Sequence, residues 1–467
     1  MPWLDPSLFS FTVIVTAGSF ANTPDTNSRF GYPKKKHHRW SEVTSLFQSQ
    51  ERKEQRRGFW VVLLTLSIIP LLMVLGNSML IPVLPEIRSE LNISQLQVSL
   101  LITLFSIPAG VVIPISGVLS DRFGRKKVII PSLLLYGAGG MLAGFASTAG
   151  SYMTMLAGRI LQGIGAAGTA PIAMALVSDL YRGEKRSKAL GILEASNGMG
   201  KVLSPIFGAL LALIAWYAVY FAFPILILPA AFALWIFVKE PERTGQIPPI
   251  AQYGRHLKKT WKRQGKWLLA AFLAGAVTLF ILFGVLFHLS DILEAKYRID
   301  GILKGLILAV PLLAMSSTSY WTGGHIRQKT RRMRLFIGGG LFAIALALAV
   351  IPFFTNTYVL LGLLVLIGIG SGLVLPSLNT LITSAVGSEE RGIVTSLYGS
   401  VRFLGVAIGP PVFGALESHR FLLFLTASGL AALSGVLALK TIRQTGLLRG
   451  KGGQTRVLLR KKGLQPT

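Results

Sequence analysis

Twelve long apolar runs, six on each side of a polar stretch, constrain the fold of this chain more than any other feature of its sequence. They lie near residues 59–83, 95–118, 128–148, 150–176, 189–213, 215–238, 267–290, 301–321, 334–354, 357–384, 393–416 and 420–439. About 20 apolar residues, rising 1.5 Å each along a helix, cross a hydrocarbon layer of roughly 30 Å. We therefore predict an all-α integral membrane protein with twelve transmembrane helices.

The positive charge of the chain is concentrated in its two tails and in alternate connections between these runs. The net charge is +28, and 39 of the 47 lysines and arginines lie in the two tails and in the connections that share their side of the membrane. Such a bias marks the cytoplasmic side. It predicts a multi-pass protein of the cell (plasma) membrane with both termini in the cytoplasm, and basic segments that meet anionic lipid headgroups. It also argues against a nucleic-acid partner.

The same pattern gives the domain organisation. We expect a disordered cytoplasmic extension at 1–56 and a six-helix bundle at 57–238. A basic cytoplasmic linker at 239–266 leads to a second six-helix bundle at 267–440, and a basic tail occupies 441–467. The chain has no cysteine, which excludes disulfides and thiolate metal sites.

The second bundle repeats the first. GRILQGIGAAGTAPIAMALV (158–177) aligns with GLLVLIGIGSGLVLPSLNTLI (362–382) at an offset of 205 residues. The same offset carries Gly200 onto Gly405 and Pro205 onto Pro410. The repeat predicts two pseudo-symmetric six-helix halves. Parallel repeats of this kind place a transporter's substrate site between the halves, near the middle of the bilayer.

A charged loop between the second and third runs, GVLSDRFGRKK (117–127), resembles the signature loop of the major facilitator superfamily. The resemblance covers about residues 58–440 and implies the major facilitator fold. It also implies that the loop is a latch between the two halves. The residues that match are Gly117, Asp121, Arg122, Gly124 and Arg125.

Two further stretches resemble the twelve-span drug:proton antiporters of that superfamily. RILQGIGAAGTAP (159–171) is similar to their fourth-helix motif, with Arg159 as its buried cation. GILEASNGMGKVLSPIFGA (191–209) is similar to the fifth-helix antiporter motif. One departure is Asn77, at the end of the first run, where many such exporters carry an acid. The residues placed in the antiporter motif are Gly191, Gly200, Ser204, Pro205 and Gly208, of which Ser204 replaces a glycine.

Charges inside apolar runs are costly, so they usually face protein, water or a partner. Glu194, Asn197 and Lys201 fall within about 60° of arc at 100° per residue and form one polar stripe. Arg402 is the repeat-mate of Asn197, and we expect it to face the same central region. A structural role for these buried groups is the alternative. The candidates for substrate binding or proton coupling are therefore Glu194, Arg159, Asn197, Lys201, Arg402, Asn77 and Asp291.

Glu194 is the only acid well inside a run, so it is the first candidate for proton coupling, and Asp291 is the second. Lys304 lies near a run's end, from where its side chain could extend to the interface.

No nucleophile–base pair, metal cluster or phosphate loop occurs in the sequence, so we predict neither an enzyme nor a cofactor or metal site. The leading hypothesis is a monomeric secondary active transporter, a proton-coupled exporter of small amphipathic molecules or drugs that works by alternating access. Its partners are the substrate, protons and the bilayer. A carrier of an anionic or polar metabolite is the alternative within transport. A membrane receptor or scaffold that has lost transport is the alternative from another class.

Overall fold

The structure, a computed structural model, describes residues 58–240, 250–326, 330–354, 356–385 and 391–442. These residues form twelve long helices and no strand, which confirms the all-α prediction. The helices are α1 (Gly58–Glu90), α2 (Gln95–Phe123), α3 (Arg125–Thr148), α4 (Tyr152–Leu180), α5 (Gly183–Ala212), α6 (Ala218–Phe237), α7 (Ile250–Ala295), α8 (Gly301–Ile326), α9 (Thr330–Val350), α10 (Thr357–Ala385), α11 (Arg391–Ala415) and α12 (Arg420–Thr441). A 3-10 segment, Ile81–Val83, interrupts α1, and α4 is interrupted at Gly168 and Thr169.

Nearly all described residues belong to one compact unit, Trp60–Thr467. The other unit, Met1–Phe59, and with it the extension predicted to be disordered, lies almost wholly outside the described residues. Most of the predicted C-terminal tail lies outside them as well. Within the predicted linker, residues 250–266 form the first turns of α7.

Eleven of the twelve described helices are long and apolar enough to cross a membrane. The exception is α5, which is 30 residues long but begins with a charged turn and carries Glu194 and Lys201 further along. These charges are tolerable in a spanning helix only where they face protein, water or a ligand. The composition of α5 therefore indicates that one of its sides does not face lipid.

Two glycines show that the halves repeat in contacts as well as in sequence. Gly163 of α4 lies against the carbonyl oxygen of Phe105 in α2, and a side chain there has no room. Its repeat-mate Gly368 of α10 lies in the same way against the carbonyl oxygen of Pro311 in α8. Small residues allow such close backbone approach between membrane helices.

A second glycine pair repeats the packing of the fifth helix on the first. Gly200 of α5 lies against the backbone of Leu71 in α1, and Gly405 of α11 against that of Ala276 in α7. Both glycines and both partners are related by the offset of 205 residues found in the sequence. The contacts bear out two pseudo-symmetric six-helix halves.

The halves meet mainly along two helix pairs, α2 with α11 and α5 with α8, and over a smaller area where α1 meets α7. Hydroxyl groups of one half donate to backbone carbonyls of the other at several depths. These bonds are Thr103 to Ala407 (2.7 Å), Ser400 to Gly110 (2.5 Å), Ser316 to Gly198 (3.2 Å) and Ser290 to Ile81 (2.7 Å). The space between the halves is thus bordered by helices that hold one another through polar contacts.

Candidate substrate and coupling site

The predicted site residues divide into three groups in the structure. Asn77 and Arg159 meet inside the first half. Glu194, Asn197 and Lys201 lie on α5, and Arg402 approaches Lys201 from α11. Asp291 lies apart from both groups, at the end of the bundle opposite the loop 117–127, which we call the outer end.

Arg159 is fully buried and all of its donor nitrogens have acceptors. Its Nε donates to the Leu101 carbonyl (2.8 Å), one terminal nitrogen to Gln162 Oε1 (2.6 Å) and the other to Asn77 Oδ1 (2.7 Å). The guanidinium also lies 4.5 Å from the centre of the Phe105 ring. We call these residues the Arg159 network.

No carboxylate is bonded to Arg159 among the described residues. Asn77 takes the place at which an acid was expected, and its amide donates onward to Ser106 Oγ (2.7 Å). The network therefore holds a cation with neutral acceptors and contains no group that titrates near neutral pH. The sequence could have indicated Gln162, which is three residues from Arg159 on the same helical face.

The second group lies between the two halves. Glu194 is exposed, although it lies about a third of the way along α5, and Lys201 is half-buried. Neither side chain makes a hydrogen bond or an ion pair with any residue that the structure describes. Lys201 interacts electrostatically with Arg402 and with Glu194, so the three charges lie close together.

Arg402 approaches from the second half with a tyrosine that the sequence did not reveal. Its guanidinium lies 5.5 Å from the ring centre of Tyr398, one turn earlier on α11. Tyr398 is buried against Phe272 of α7, with ring centres 6.0 Å apart, and interacts electrostatically with Glu194. Glu194, Lys201, Tyr398 and Arg402 are the interface cluster below. Asn197 is half-buried and shares the stripe of α5 by its register, but its side chain makes no hydrogen bond with a described residue.

The third group joins the two halves at the outer end. A terminal nitrogen of Arg88, from α1, lies 3.2 Å from Asp291 Oδ1 at the end of α7. The carboxyl of Glu417, in the turn between α11 and α12, hydrogen-bonds Asp291. Burial, the hydrogen bond to Asp291 and the charge of Asp291 raise the pKa of Glu417 to about 7, against the opposing effect of Arg88. Arg88, Asp291 and Glu417 therefore form one charged cluster drawn from both halves, in which Glu417 is the carboxyl with a raised pKa.

The side chain of Lys304 does not extend toward the membrane–water interface. It is 1% exposed, and its Nζ lies 2.6 Å from Glu294 Oε2. A half-buried carboxylate on the preceding helix pairs with the ammonium group, which removes its need to reach water. Lys304 thus belongs to the outer end of the second half.

The loop 117–127 is anchored by contacts within its own half. Arg125 pairs with Asp121 at 2.5 Å and with Asp179 of α4 at 3.0 Å. Gly124 has φ +117°, a conformation that favours glycine, and it turns the chain so that Glu240 accepts from the first two backbone N–H groups of α3. Asp179 and Glu240 are distant in sequence and were not predicted.

Two other residues of this motif differ in their surroundings. Gly117 faces Ser396 of α11, in the other half. The Nε of Arg122 is buried and has no acceptor in the described part of the chain. The role of the loop as a latch stays a prediction.

The antiporter motif packs α5 between two neighbours. Gly208 lies against the backbone of Met79 in α1, as Gly200 does against Leu71, while the carbonyl of Pro205 faces Gly305 of α8. Ser204, which replaces a glycine, is fully buried and donates to the carbonyl of Gly200 in its own helix. Gly191 is exposed and has open space around it.

Comparisons with known proteins agree with this architecture. The sequence profile of the Major Facilitator Superfamily matches residues 66–410. The chain is 45% identical over 385 residues to the bacillibactin exporter of Bacillus subtilis (strain 168), covering 81% of this chain and 96% of that protein. It is 27% identical over 391 residues to the tetracycline resistance protein, class C, of Escherichia coli, covering 80% and 93%.

Among solved structures, a bacterial homologue of the human lysosomal transporter Spinster, in an inward-facing and unoccupied conformation, shares the fold. The TM-score is 0.61 at 18% identity, over 82% of this chain and 94% of that one. The profile match, the repeated glycine contacts and the relatives lead to one conclusion: this chain is a member of the major facilitator superfamily, a non-enzymatic membrane transporter of the drug-efflux type.

Proposed function

We propose that the protein is a proton-coupled exporter of small amphipathic molecules that binds its substrate at the interface cluster and works by alternating access. The observation that carries the proposal is a group of three charges between the halves at membrane depth, on Glu194, Lys201 and Arg402, none of which forms an ion pair with a residue that the structure describes. Such charges are costly unless water or a ligand reaches them. The 45% identity to a bacillibactin exporter supports export, and bacillibactin is the first compound to test.

Glu194 is the proposed site of proton exchange. It is an exposed carboxyl on a spanning helix, it makes no ion pair with a described residue, and it lies beside Lys201. A carboxylate in such a place can alternate between charged and neutral forms as the bound substrate and the neighbouring cations change. The Arg159 network offers no comparable group, because its acceptors are amides and a carbonyl.

The test is reconstitution of the full chain in liposomes with an imposed pH gradient. We expect wild-type protein to accumulate bacillibactin or another amphipathic compound against its gradient and to move protons when substrate is added. Glu194→Gln keeps the size and hydrogen bonding of the side chain but fixes its neutral form. It should lose substrate-driven proton movement and active accumulation while keeping downhill transport.

Glu90→Gln is a matched control, since Glu90 is an exposed carboxyl at the end of α1. It should behave like wild type. Undiminished proton-coupled accumulation by Glu194→Gln would exclude Glu194 and direct attention to Asp291. If the wild type transported neither bacillibactin nor any other amphipathic compound tested, the result would contradict export itself.

The remaining parts of the proposal follow from the charge pattern and the resemblance of the sequence. They are a plasma-membrane location with cytoplasmic termini, basic tails at anionic lipid, a latch formed by Asp121, Arg122 and Arg125, and a monomeric state. Asp121 and Arg125 support the latch by their position beside the α2–α11 contact, where Gly117 meets Ser396.

A further inference from the structure

We infer that Lys201 and Arg402, one from each half, together bind an anionic group of the transported molecule, so that the substrate class is an organic anion. This inference rests on the proposed function, because it names the ligand of the same interface cluster. Three observations support it. They are the directions in which the two side chains project, the excess of positive charge in the cluster, and buried hydrogen-bond donors that have no acceptor among the described residues.

The position of Lys201 follows from the neighbours of α5. Gly198 faces Ser316 of α8, whereas Gly200 and Gly208 face α1. At about 100° per residue, Lys201 lies on the strip between these two sides, and Glu194 lies on the same strip. The side chain of Lys201 therefore projects into the space that α1, α5 and α8 border, and not toward lipid.

Arg402 occupies the equivalent place on α11. Gly405 and Gly409 face α7, whereas Gly399 and Ser400 face α2. By the same helical geometry, Arg402 lies between the side that contacts α7 and the side that contacts α2. The two cations thus project from opposite halves into the space between them, in keeping with their electrostatic interaction.

The charge in this space is not balanced. Glu194 supplies one negative charge against the two positive charges of Lys201 and Arg402. Like charges in a region of low dielectric repel strongly, because little solvent screens them. An anionic ligand placed between Lys201 and Arg402 would convert this repulsion into two attractive interactions.

The cluster also contains donors without acceptors. The Nε of Arg402 and the hydroxyl of Tyr398 are buried, and neither has a hydrogen-bond partner among the residues described. A buried donor without an acceptor destabilises the protein, because it has lost its hydrogen bonds to water and gained none in return. A carboxylate, sulfonate or phenolate accepts hydrogen bonds through its oxygens, so it would satisfy the donors and the charges together.

The experiment measures the thermal stability of the purified full-length protein with three probes on one scaffold. The probes are naphthalene-2-sulfonate, the neutral naphthalene-2-sulfonamide and the cationic 2-(aminomethyl)naphthalene. We expect only the sulfonate to raise the Tm of the wild type. The rise should shrink in Lys201→Gln and in Arg402→Gln and vanish in the double variant. It should persist in Lys440→Gln, which removes an exposed cation at the end of α12.

The Tm of each variant without ligand distinguishes a loss of binding from a loss of folding. Because Lys201 and Arg402 repel each other, Lys201→Gln without ligand should unfold at a Tm equal to or above that of the wild type. Equal stabilisation by all three probes, or a sulfonate effect that survives the double substitution, would overturn the inference. So would a Lys201→Gln protein that is markedly less stable without ligand.

The same samples distinguish this inference from the exporter proposal. Selective sulfonate binding without pH-driven transport of any compound would support the anion site and contradict export. Bacillibactin or the cationic probe could instead be exported under a pH gradient at the same rate by the wild type, Lys201→Gln and Arg402→Gln. That result would support export and contradict the anion site.

Discussion

At the scale of single residues, Glu417 is a titratable group that lies at the contact between the halves. Its carboxyl is half-buried, hydrogen-bonds Asp291 and has a pKa raised to about 7 from 4.5. Between these values the folded protein holds more protons than the unfolded chain, so its stability falls as the pH rises. The contribution of Glu417 is therefore fully present below about pH 4.5 and is lost as the pH passes 7.

We expect Glu417→Gln to flatten this dependence. The amide still hydrogen-bonds Asp291 but does not titrate, so the Tm of the variant should change less between pH 5 and pH 7 than that of the wild type. Thermal unfolding of both proteins across that range measures the difference. Glu90→Gln is the control and should keep the wild-type slope. Parallel pH profiles for wild type and Glu417→Gln would show that Glu417 does not have a raised pKa in the folded protein.

At the scale of elements, α5 packs against its neighbours through glycines that differ in what surrounds them. A methyl group at Gly208 would overlap the backbone of Met79 in α1, whereas one at Gly191 would meet nothing within 4 Å. Overpacking of a close contact costs typically 1–3 kcal/mol, while replacing glycine by alanine in an open helical position gains up to about 1 kcal/mol.

Gly208→Ala should therefore lower the Tm and weaken transport, and Gly191→Ala should unfold at the wild-type Tm or slightly above. Both substitutions lie in the same motif and add the same atom, so each controls for the other. The measurement is thermal unfolding in detergent together with transport in liposomes. Equal loss of stability in both variants would contradict the packing described for α5. Normal stability with impaired transport in Gly191→Ala would show that Gly191 is close-packed in another conformation.

At the scale of the whole molecule, alternating access requires the outer contacts between the halves to open. Ser290 donates to the Ile81 carbonyl across the halves at 2.7 Å, beside the pair of Arg88 and Asp291. The chain has no native cysteine, so introduced pairs can be cross-linked without background. Cross-linking of an Ile81→Cys, Ser290→Cys protein should abolish transport, and reduction should restore it.

The matched control lies within one half. Ser428 of α12 donates to the Ala345 carbonyl of α9, also at 2.7 Å. Cross-linking of an Ala345→Cys, Ser428→Cys protein should leave transport unchanged, because these helices move together. Full transport by the cross-linked 81–290 protein would contradict separation of the halves at the outer end.

Features that depend on local sequence could be predicted. The twelve spans follow from runs of apolar residues, and the repeat follows from a constant offset of 205 residues, which the contacts of Gly200 with Leu71 and of Gly405 with Ala276 share. The polar stripe of α5 follows from helical periodicity. Hydropathy and periodicity are properties of short segments, and a membrane leaves such segments few structures other than helices.

The partners of the polar residues were decided by the tertiary structure. Asn77 meets Arg159 across 82 residues, and Asp291 meets both Arg88 and Glu417 from other helices and turns. The sequence alone grouped Arg159 with Glu194 because both are charges inside apolar runs, yet only Glu194 belongs to the interface cluster.

The physical reason is that a helix's sequence sets which residues share a face, but not which neighbour that face meets. The rotation and depth of each helix are fixed by close contacts such as Gly200 on Leu71 and Gly405 on Ala276. Those contacts direct Lys201 and Arg402 into the same space. The sequence by itself therefore determined the spans, the repeat and the family, and the packing of the helices decided which charges face each other.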